Sequence, residues 1–399
     1  MNNHRIQALD FFRGFALFGI FMVNLPLMVQ PFSLIFIEDH SFVANTDFYT
    51  KICIQLFFEG KFFVIFSFLF GAGFYFFLQN KKELAQNLYS RRLIFLFGIG
   101  VLHISFLWVG DILLFYSLMG FLLLLFRRKS NTFILRSIVI FLALPALFSF
   151  SLYGLLEILK SFPDIKNEME KSMLLDWEQS KERVRYLFEV YSHGPYVESI
   201  QCRWSEYIDL LLGIFFFYPV SFAMFLLGYL GAKNSFFQNI DSYYQKFKPY
   251  FFVLLIAALS LNILYVFTYF NSSLQDLNLY TAISSSVHGI AGVSLASCYL
   301  FLIYRLCIRY KRFSMLLSQT GRMALTNYLS QSLIIFCLTA PWGLGLYGKI
   351  NFIQGFWIVL SIYGVQLLVS AVWLQYFEYG PMEWIWRMFT INRYIKLKK

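Results

Sequence analysis

Residues 91–116 read RRLIFLFGIGVLHISFLWVGDILLFY: two arginines, an apolar run that contains one histidine, and a Gly-Asp pair before the next apolar run. At a rise of about 1.5 Å per residue, His103 lies roughly 16 Å along a helix from Arg92, about half of a roughly 30 Å hydrocarbon core. Ionisable side chains at that depth are candidates for function. The stretch therefore predicts a membrane-spanning helix with a candidate reactive histidine at its centre.

The composition of the whole chain is that of a multi-pass membrane protein. Of 399 residues, 59% are hydrophobic and 14% are charged, too few polar residues to cover a soluble globule. We predict an all-α polytopic bundle of about ten transmembrane helices that forms a single membrane domain, residues 1–399. The apolar runs lie at roughly 11–30, 61–79, 92–109, 112–126, 133–157, 207–231, 249–270, 281–307, 323–340 and 353–377.

The charge distribution predicts the orientation of these helices. About two thirds of the 33 Lys and Arg residues lie on the side of the N-terminus, and about three quarters of the 22 Asp and Glu residues lie on the other. We therefore expect both termini in the cytoplasm and an uncleaved first span. The net charge of +11 does not indicate nucleic-acid binding, because the basic residues sit at the ends of apolar runs rather than in a patch.

One long polar segment interrupts the apolar runs, at 158–206, and we expect it on the outer face. Within it, apolar residues of the stretch 165–189 recur at spacings near three and four, which is typical of an amphipathic helix. Such a helix would rest on the membrane or over a cavity; the alternative is a solvated charged face. The five cysteines are scattered and lack CxxC spacing, so the sequence indicates no disulfide framework and no metal site.

Several motifs, taken in order, resemble one family. They are LDFFRGFALFGIFMVN at 9–24, FSFLFGAG at 66–73, the stretch 91–116, GRMALTNYLSQS at 321–332 and GPMEWIWR at 380–387. Together they resemble the YeiB-like bacterial membrane proteins, whose C-terminal region, here 207–399, is a domain of unknown function. The resemblance implies a multi-pass protein of the bacterial plasma (inner) membrane.

The N-terminal motif is also similar to that of the heparan-glucosamine N-acetyltransferase of lysosomes and, more distantly, of other transmembrane acyltransferases. This resemblance implies a bundle that takes an acyl group from cytoplasmic acyl-CoA or acetyl-CoA and delivers it to an acceptor across the membrane. In the lysosomal enzyme the catalytic histidine follows shortly after the first span. The only comparable residue here is His40, and its surroundings differ from those of the lysosomal residue.

His103 is the first candidate for catalysis. A buried neutral imidazole can act as a general base toward an acceptor, or can itself accept an acyl group; the alternative is a structural histidine bonded between helices. Asp111 would lie about 12 Å further along a straight helix and some 80° around it, so we expect no direct contact with His103. It either caps the span that begins at Ile112 or binds the acceptor.

Asn24 is the predicted partner of His103. It lies eleven residues after Arg13, the same interval as from Arg92 to His103, so both side chains should be at similar depth. The amide of Asn24 could donate to an acyl oxyanion or orient the imidazole. An interhelical hydrogen bond without chemistry is the alternative.

Five arginines could form a cytoplasmic basic mouth for the phosphates of CoA, because guanidinium groups bind phosphate in a bidentate way. The alternative is positive-inside anchoring without a ligand. They are Arg13, Arg91, Arg92, Arg322 and Arg387. Arg13 is also close enough to form a salt bridge with Asp10, three residues before it on the same helical face.

Polar side chains within the later spans suggest either a lined cavity or a hydrogen-bonded bundle. They are Asn327, Tyr328, Gln331, Ser332 and Gln366. His288 lies in the outer half of its span and is either a cavity or core histidine or a second base.

The predicted function is therefore acyl transfer from acyl-CoA to an extracytoplasmic glycan or lipid acceptor. The competing hypothesis is a transporter or flippase of a small molecule or lipid, in which the same polar residues form the pathway. Membrane lipid is the expected surrounding partner, and the sequence leaves a homodimer open.

Overall fold

The computed structural model describes residues 7–37, 46–79, 85–211, 214–272 and 277–399. Over these residues the chain is a helical bundle, which confirms the predicted all-α class. The helices are α1 (Gln7–Met28), α2 (Thr46–Phe57), α3 (Phe62–Gln79), α4 (Ala85–Phe106), α5 (Leu113–Leu124), α6 (Asn131–Lys160), α7 (Pro163–His193), α8 (Tyr196–Leu210), α9 (Ile214–Lys233), α10 (Ile240–Phe247), α11 (Phe251–Phe270), α12 (Leu279–Arg309), α13 (Lys311–Arg322), α14 (Ala324–Thr339), α15 (Phe352–Tyr376) and α16 (Pro381–Ile391). Short 3₁₀ turns follow α1 at Phe32–Phe36 and precede α11 at Lys248–Tyr250.

Each of the ten predicted spans coincides with a helix. In the described part of the chain, eight helical segments are long and apolar enough to cross a membrane. The other two predicted spans correspond to α5 and α14, which are apolar but have only 12 and 16 residues. At about 1.5 Å per residue they are shorter than the hydrocarbon core.

The second predicted span, 61–79, corresponds to α3, but the helix before it was not predicted. The segment Thr46–Gln79 is one apolar stretch of 34 residues, but it is broken into α2 and α3 by a turn at 58–61. Gly60 has φ +79° in this turn, a conformation that a residue with a Cβ rarely adopts. α2 was not predicted as a helix.

Close approach of backbones holds the bundle together. α3 packs along α9, where a Cβ on Gly71 would overlap the carbonyl of Phe225, and a Cβ on Gly228 would overlap the carbonyl of Phe68. Small residues at these positions let the two helices touch, as is usual between membrane helices. Aromatic side chains fill the remaining space around α1, α3 and α9.

Both ends of the described chain lie on one side of the bundle, which we call the terminal face. There Gly321 lies against the carbonyl of Asp10, Arg322 donates to the carbonyl of Glu378, and the Glu378 N–H donates to Leu397. The opposite side, the distal face, carries the end of α1 and the polar segment 158–206. The charge pattern predicts that the terminal face is cytoplasmic.

The polar segment forms a cap of two helices, α7 and α8, on the distal face. The predicted amphipathic stretch 165–189 lies within α7, whose first half is largely exposed and whose second half buries Val184, Leu187 and Val190. The buried carboxylate of Glu206 on α8 accepts hydrogen bonds from the Ser33 N–H (2.8 Å) and hydroxyl (2.9 Å) and from the Tyr191 hydroxyl (2.8 Å). These bonds fix the cap to the end of α1.

Candidate functional site

His103 and Asp111 form a buried pair, and the prediction that they do not contact each other is wrong. Nδ1 of His103 and Oδ2 of Asp111 are 2.9 Å apart, and neither side chain has any exposed surface. The prediction assumed a straight helix through position 111. In the structure α4 ends at Phe106, and the chain folds back so that Asp111 faces the preceding turn of α4.

Local backbone bonds explain where α4 ends. The N–H groups of Leu107 and Trp108 both donate to the carbonyl of His103, at 2.9 and 3.0 Å, and the Asp111 N–H donates to Val109 at 2.8 Å. Gly100, one turn before the histidine, leaves room for the returning chain. A Cβ at that position would lie 2.8 Å from Oδ1 of Asp111.

The two oxygens of Asp111 have different partners. Oδ1 accepts the backbone N–H of Leu114 at 2.7 Å and so caps the N-terminus of α5, as one of the two sequence hypotheses proposed. Oδ2 faces His103. The carboxylate therefore fixes the start of α5 and the position of the imidazole at the same time.

The second ring nitrogen of His103 is left without a partner. Nε2 is buried and makes no hydrogen bond to any described residue, and the close Nδ1–Oδ2 contact is an ion-pair distance without hydrogen-bond alignment. The ring of Tyr328 lies 5.3 Å from the imidazole, and that of Trp108 lies 6.5 Å away. A buried polar atom without a partner is unusual and calls for an explanation.

Asn24 does not pair with His103, so the predicted pairing is corrected. Asn24 is half-buried, and neither ring nitrogen of His103 has a hydrogen-bond partner among the described residues. Equal depth did not imply adjacency, because α1 packs mainly against α3, α13, α14 and α15. The link from α1 to this site is instead Trp108, whose indole N–H donates to the carbonyl of Leu27 at 3.1 Å.

The predicted polar residues of α14 and α15 form a hydrogen-bonded network. Gln331 donates to Gln366 (2.9 Å), and Gln366 donates to the Asn327 carbonyl (2.9 Å) and the Ser330 hydroxyl (2.8 Å). Asn327 donates to the hydroxyl of Ser370 at 3.0 Å. These amides join two helices, as the hypothesis of a hydrogen-bonded bundle expected.

Ser332 differs from its neighbours in this network. Its hydroxyl is buried without a partner and lines a cleft on the distal face. The cleft encloses about 720 Å³ including its open mouth, and it lies between the end of α1, the cap and α14. Trp108 and Val109, which lie between His103 and Asp111 in the chain, form part of its wall. The cleft therefore reaches the turn that carries the buried pair.

Two charged residues of this cleft were not predicted. Arg203 donates through Nε and Nη2 to the carbonyl of Ser105, at 3.1 and 2.9 Å, and Glu206 is held by Ser33 and Tyr191 as described. Burial raises the pKa of Glu206, although its hydrogen bonds oppose that shift. The amphipathic pattern of α8 could have identified them, because both residues lie on the buried side of this helix.

The five predicted arginines lie toward the terminal face, and most already have protein partners. Arg13 forms the predicted ion pair with Asp10 (3.2 Å), and Arg322 donates to the carbonyl of Glu378 (3.0 Å). Two of the guanidinium groups stack on aromatic rings: Arg92 lies 3.6 Å from the centre of the Trp386 ring, and Arg387 lies 4.4 Å from that of Tyr379. Arg91, next to Arg92 in the chain, is half-buried. Stacking fixes the plane of a guanidinium group.

His288 is not part of the His103 site. It belongs to a second cluster with Glu59 and Lys61 at the break between α2 and α3. His40 lies outside the described residues.

Comparison with known proteins gives relatives of nearly full length. A family model described as "Protein of unknown function (DUF418)" matches residues 231–393, within the predicted C-terminal region. The chain is 30% identical to the uncharacterized protein YxaH of Bacillus subtilis (strain 168), over 98% of this chain and 95% of that protein. It is 27% identical to the uncharacterized protein YeiB of Escherichia coli (strain K12), over 97% of both.

A third relative is an uncharacterized 39.9 kDa protein encoded in the amylase 3' region of Bacillus acidopullulyticus, 28% identical over 98% of this chain and 95% of that protein. No solved structure matches the chain. The predicted family is confirmed by these relatives: the chain belongs to the YeiB-like family of bacterial membrane proteins, which carry a DUF418 region.

Proposed function

We propose that this protein is a membrane acyltransferase that moves an acyl group from acyl-CoA, such as acetyl-CoA, at the terminal face to a glycan or lipid acceptor at the distal face of the bacterial inner membrane. The observation that carries the proposal is the fully buried His103–Asp111 pair, whose Nε2 has no partner. A carboxylate on one nitrogen of an imidazole leaves the other nitrogen to take a proton, which is the arrangement of a general base.

His103 acts as the general base of the proposed step. Nε2 of His103 accepts the proton of the acceptor hydroxyl or amine, and the acceptor atom forms a bond to the thioester carbonyl carbon. The carbon–sulfur bond then breaks, and the leaving CoA thiolate takes the proton from the imidazolium. Asp111 stabilises the imidazolium while it exists. Direct acylation of Nε2 followed by transfer is the alternative route, and it uses the same free nitrogen.

We propose that acyl-CoA, the donor, binds at the terminal face. Arg92 and Arg387 present fixed guanidinium groups there, with Arg13, Arg91 and Arg322 on the same face. From Arg92 to His103 the chain rises by roughly 16 Å, so the pantetheine arm of CoA would lie along α4 with its thioester near the imidazole. The distal cleft supplies the acceptor side.

A transporter or flippase remains the second candidate, because one observation favours it. Transporters place ionisable groups at breaks in membrane helices, and the turn between α2 and α3 is such a break, with Glu59 and Lys61 in it. The closed hydrogen-bond network of α14 and α15 is better suited to holding two helices together than to forming a pathway.

The test is release of CoA from acyl-CoA by the purified full-length protein in lipid nanodiscs. We expect His103→Ala to lower the rate by at least about 100-fold, the usual contribution of a positioned base. His193→Ala, which removes an exposed histidine at the end of α7, is the matched control and should keep the wild-type rate. Unchanged activity in folded His103→Ala protein would remove the histidine from the mechanism.

A further inference from the structure

The break between α2 and α3 carries a second group of ionisable side chains, of which Lys61 is buried and Glu59 and His288 are half-buried. Glu59 and Lys61 flank Gly60 in the turn, and both lie within an apolar segment of 34 residues. Lys61 is only 1% exposed. Charged side chains at such positions are costly and are usually functional.

Lys61 has a clear structural role. Its ammonium group donates to the carbonyl of Gln55 in the last turn of α2, at 2.8 Å, and lies 5.7 Å from the centre of the Tyr265 ring. The hydroxyl of Tyr265 in turn donates to the side-chain oxygen of Gln55, at 3.1 Å. A cation at a helix C-terminus is favourable. The amino group of Lys61 is therefore fixed beside the turn.

His288 reaches the turn from α12. Its Nε2 is 3.9 Å from Oε1 of Glu59 and has no hydrogen-bond partner among the described residues. A Cβ on Gly60 would lie 2.7 Å from this nitrogen, so the glycine makes room for it.

The other groups around the imidazole are aromatic. Tyr265 of α11 lies 4.8 Å from the ring, Phe217 of α9 lies 5.4 Å away and Phe63 of α3 lies 6.3 Å away. The charged groups that face His288 are thus Glu59 and Lys61, both from the turn.

We propose that Glu59, His288 and Lys61 form a binding site for one exchangeable proton at the break between α2 and α3. The proton enters through Glu59, whose side chain is 24% exposed, and moves from its carboxylic acid to Nε2 of His288, leaving a carboxylate and an imidazolium. A small rotation of either side chain, or one bridging water, spans the 3.9 Å gap. Loss of that proton to water returns the site to neutral His288, ionised Glu59 and charged Lys61.

This site is separate from the His103–Asp111 pair, because it is built by α2, α3, α11 and α12 rather than by α4 and α5. The proposal therefore goes beyond acyl transfer, and either one can fail alone. A site that binds a proton within the membrane would allow a step of this protein to be coupled to the proton gradient.

Infrared pH-difference spectra of the full-length protein in nanodiscs test the site, because a protonated carboxyl group has its own C=O band. We expect a band that is lost in Glu59→Gln and that titrates at a different pH in His288→Gln. Glu178→Gln, on the exposed surface of α7, is the matched control and should leave the band unchanged. A band that is insensitive to Glu59→Gln, or a titration that His288→Gln does not move, would overturn the proposal.

A second measurement uses the wild-type protein and so does not depend on how well the variants fold. In the protein labelled with ¹⁵N-histidine, the resonance of the His288 ring should change over the same pH range as the carboxyl band. Changes of the ring and the carboxyl group over separate pH ranges would mean that they do not share a proton, and would overturn the proposal.

Discussion

The His103–Asp111 pair and the amide network of α14 and α15 are both polar, both buried and equally conspicuous in the sequence, yet they differ in one respect. In the network, Gln366 uses its amide nitrogen twice and its oxygen once. In the pair, Nε2 of His103 has no partner. Satisfied polar groups hold helices together, whereas an unsatisfied one has capacity left for a ligand or a proton. We infer structure from the first region and chemistry from the second.

Among the substitutions that distinguish the two regions, Asp111→Asn should have the largest effect on activity. An asparagine can still cap α5, so the helix should form, but the negative charge beside the imidazole is lost. We expect CoA release to fall by about 100-fold with a small change in stability. The assay is the rate per folded protein, with thermal unfolding measured on the same sample. Equal activity in the variant would mean that Asp111 is only a cap.

A substitution in the amide network of α14 and α15 should do the opposite and lower stability without lowering activity. Gln366→Leu removes three hydrogen bonds and leaves the side-chain amide of Gln331 without a partner, whereas Ser330 still donates to the Asn327 carbonyl at 2.9 Å. The variant should therefore lose about 1–2 kcal/mol of stability. Activity per folded molecule should stay near the wild-type value. Leu368→Ala, on the exposed face of the same helix, is the control for a change in side-chain size. Loss of activity without loss of stability would contradict the structural role.

Tyr328 lies between the two regions, and Tyr328→Phe should have a smaller effect. Its ring packs on His103, and its hydroxyl accepts the Ile112 N–H at a long 3.4 Å. The variant keeps the ring and loses that weak bond. We expect a reduction of activity below about tenfold, since only the support of the site changes. A reduction as large as that of Asp111→Asn would place the hydroxyl in the reaction itself.

The smallest effect concerns Glu206, a buried carboxylate whose oxygens both have partners. Burial raises its pKa above 4.5, so the folded protein binds this proton more tightly than the unfolded chain. The resulting stability is fully present below about pH 4.5 and is lost as the pH rises through the raised value. Glu206→Gln should flatten that part of a plot of unfolding temperature against pH. An unchanged slope would show that Glu206 does not cause it.

Much of the fold followed from the apolar runs, because length and hydrophobicity set where a helix crosses a membrane. The Asp10–Arg13 ion pair and the cap by Asp111 also followed, since both depend on spacing within a few residues. The end of α4 at Phe106 could not be read from residue types, because it depends on the chain turning inward at Trp108. The partner of His103 was therefore assigned to the wrong side chain.

Contacts between helices that are distant in sequence could not be predicted either. Equal depth placed Asn24 beside His103, but depth does not state which helices are neighbours. Glu59 and Lys61 are two charged residues inside one continuous apolar segment, and the sequence analysis did not consider them as a site. Their proximity to His288 depends on how α12 packs against the turn, which a single sequence does not show.

The most direct test of His103–Asp111 as the reactive site is a structure of the protein with a non-hydrolysable acyl-CoA analogue. We predict the phosphates near Arg92 and Arg387 at the terminal face, and the acyl carbonyl carbon about 3–4 Å from the acceptor atom bound beside Nε2 of His103. A bound analogue whose acyl group lies away from the His103–Asp111 pair would contradict the assignment of this pair as the reactive site.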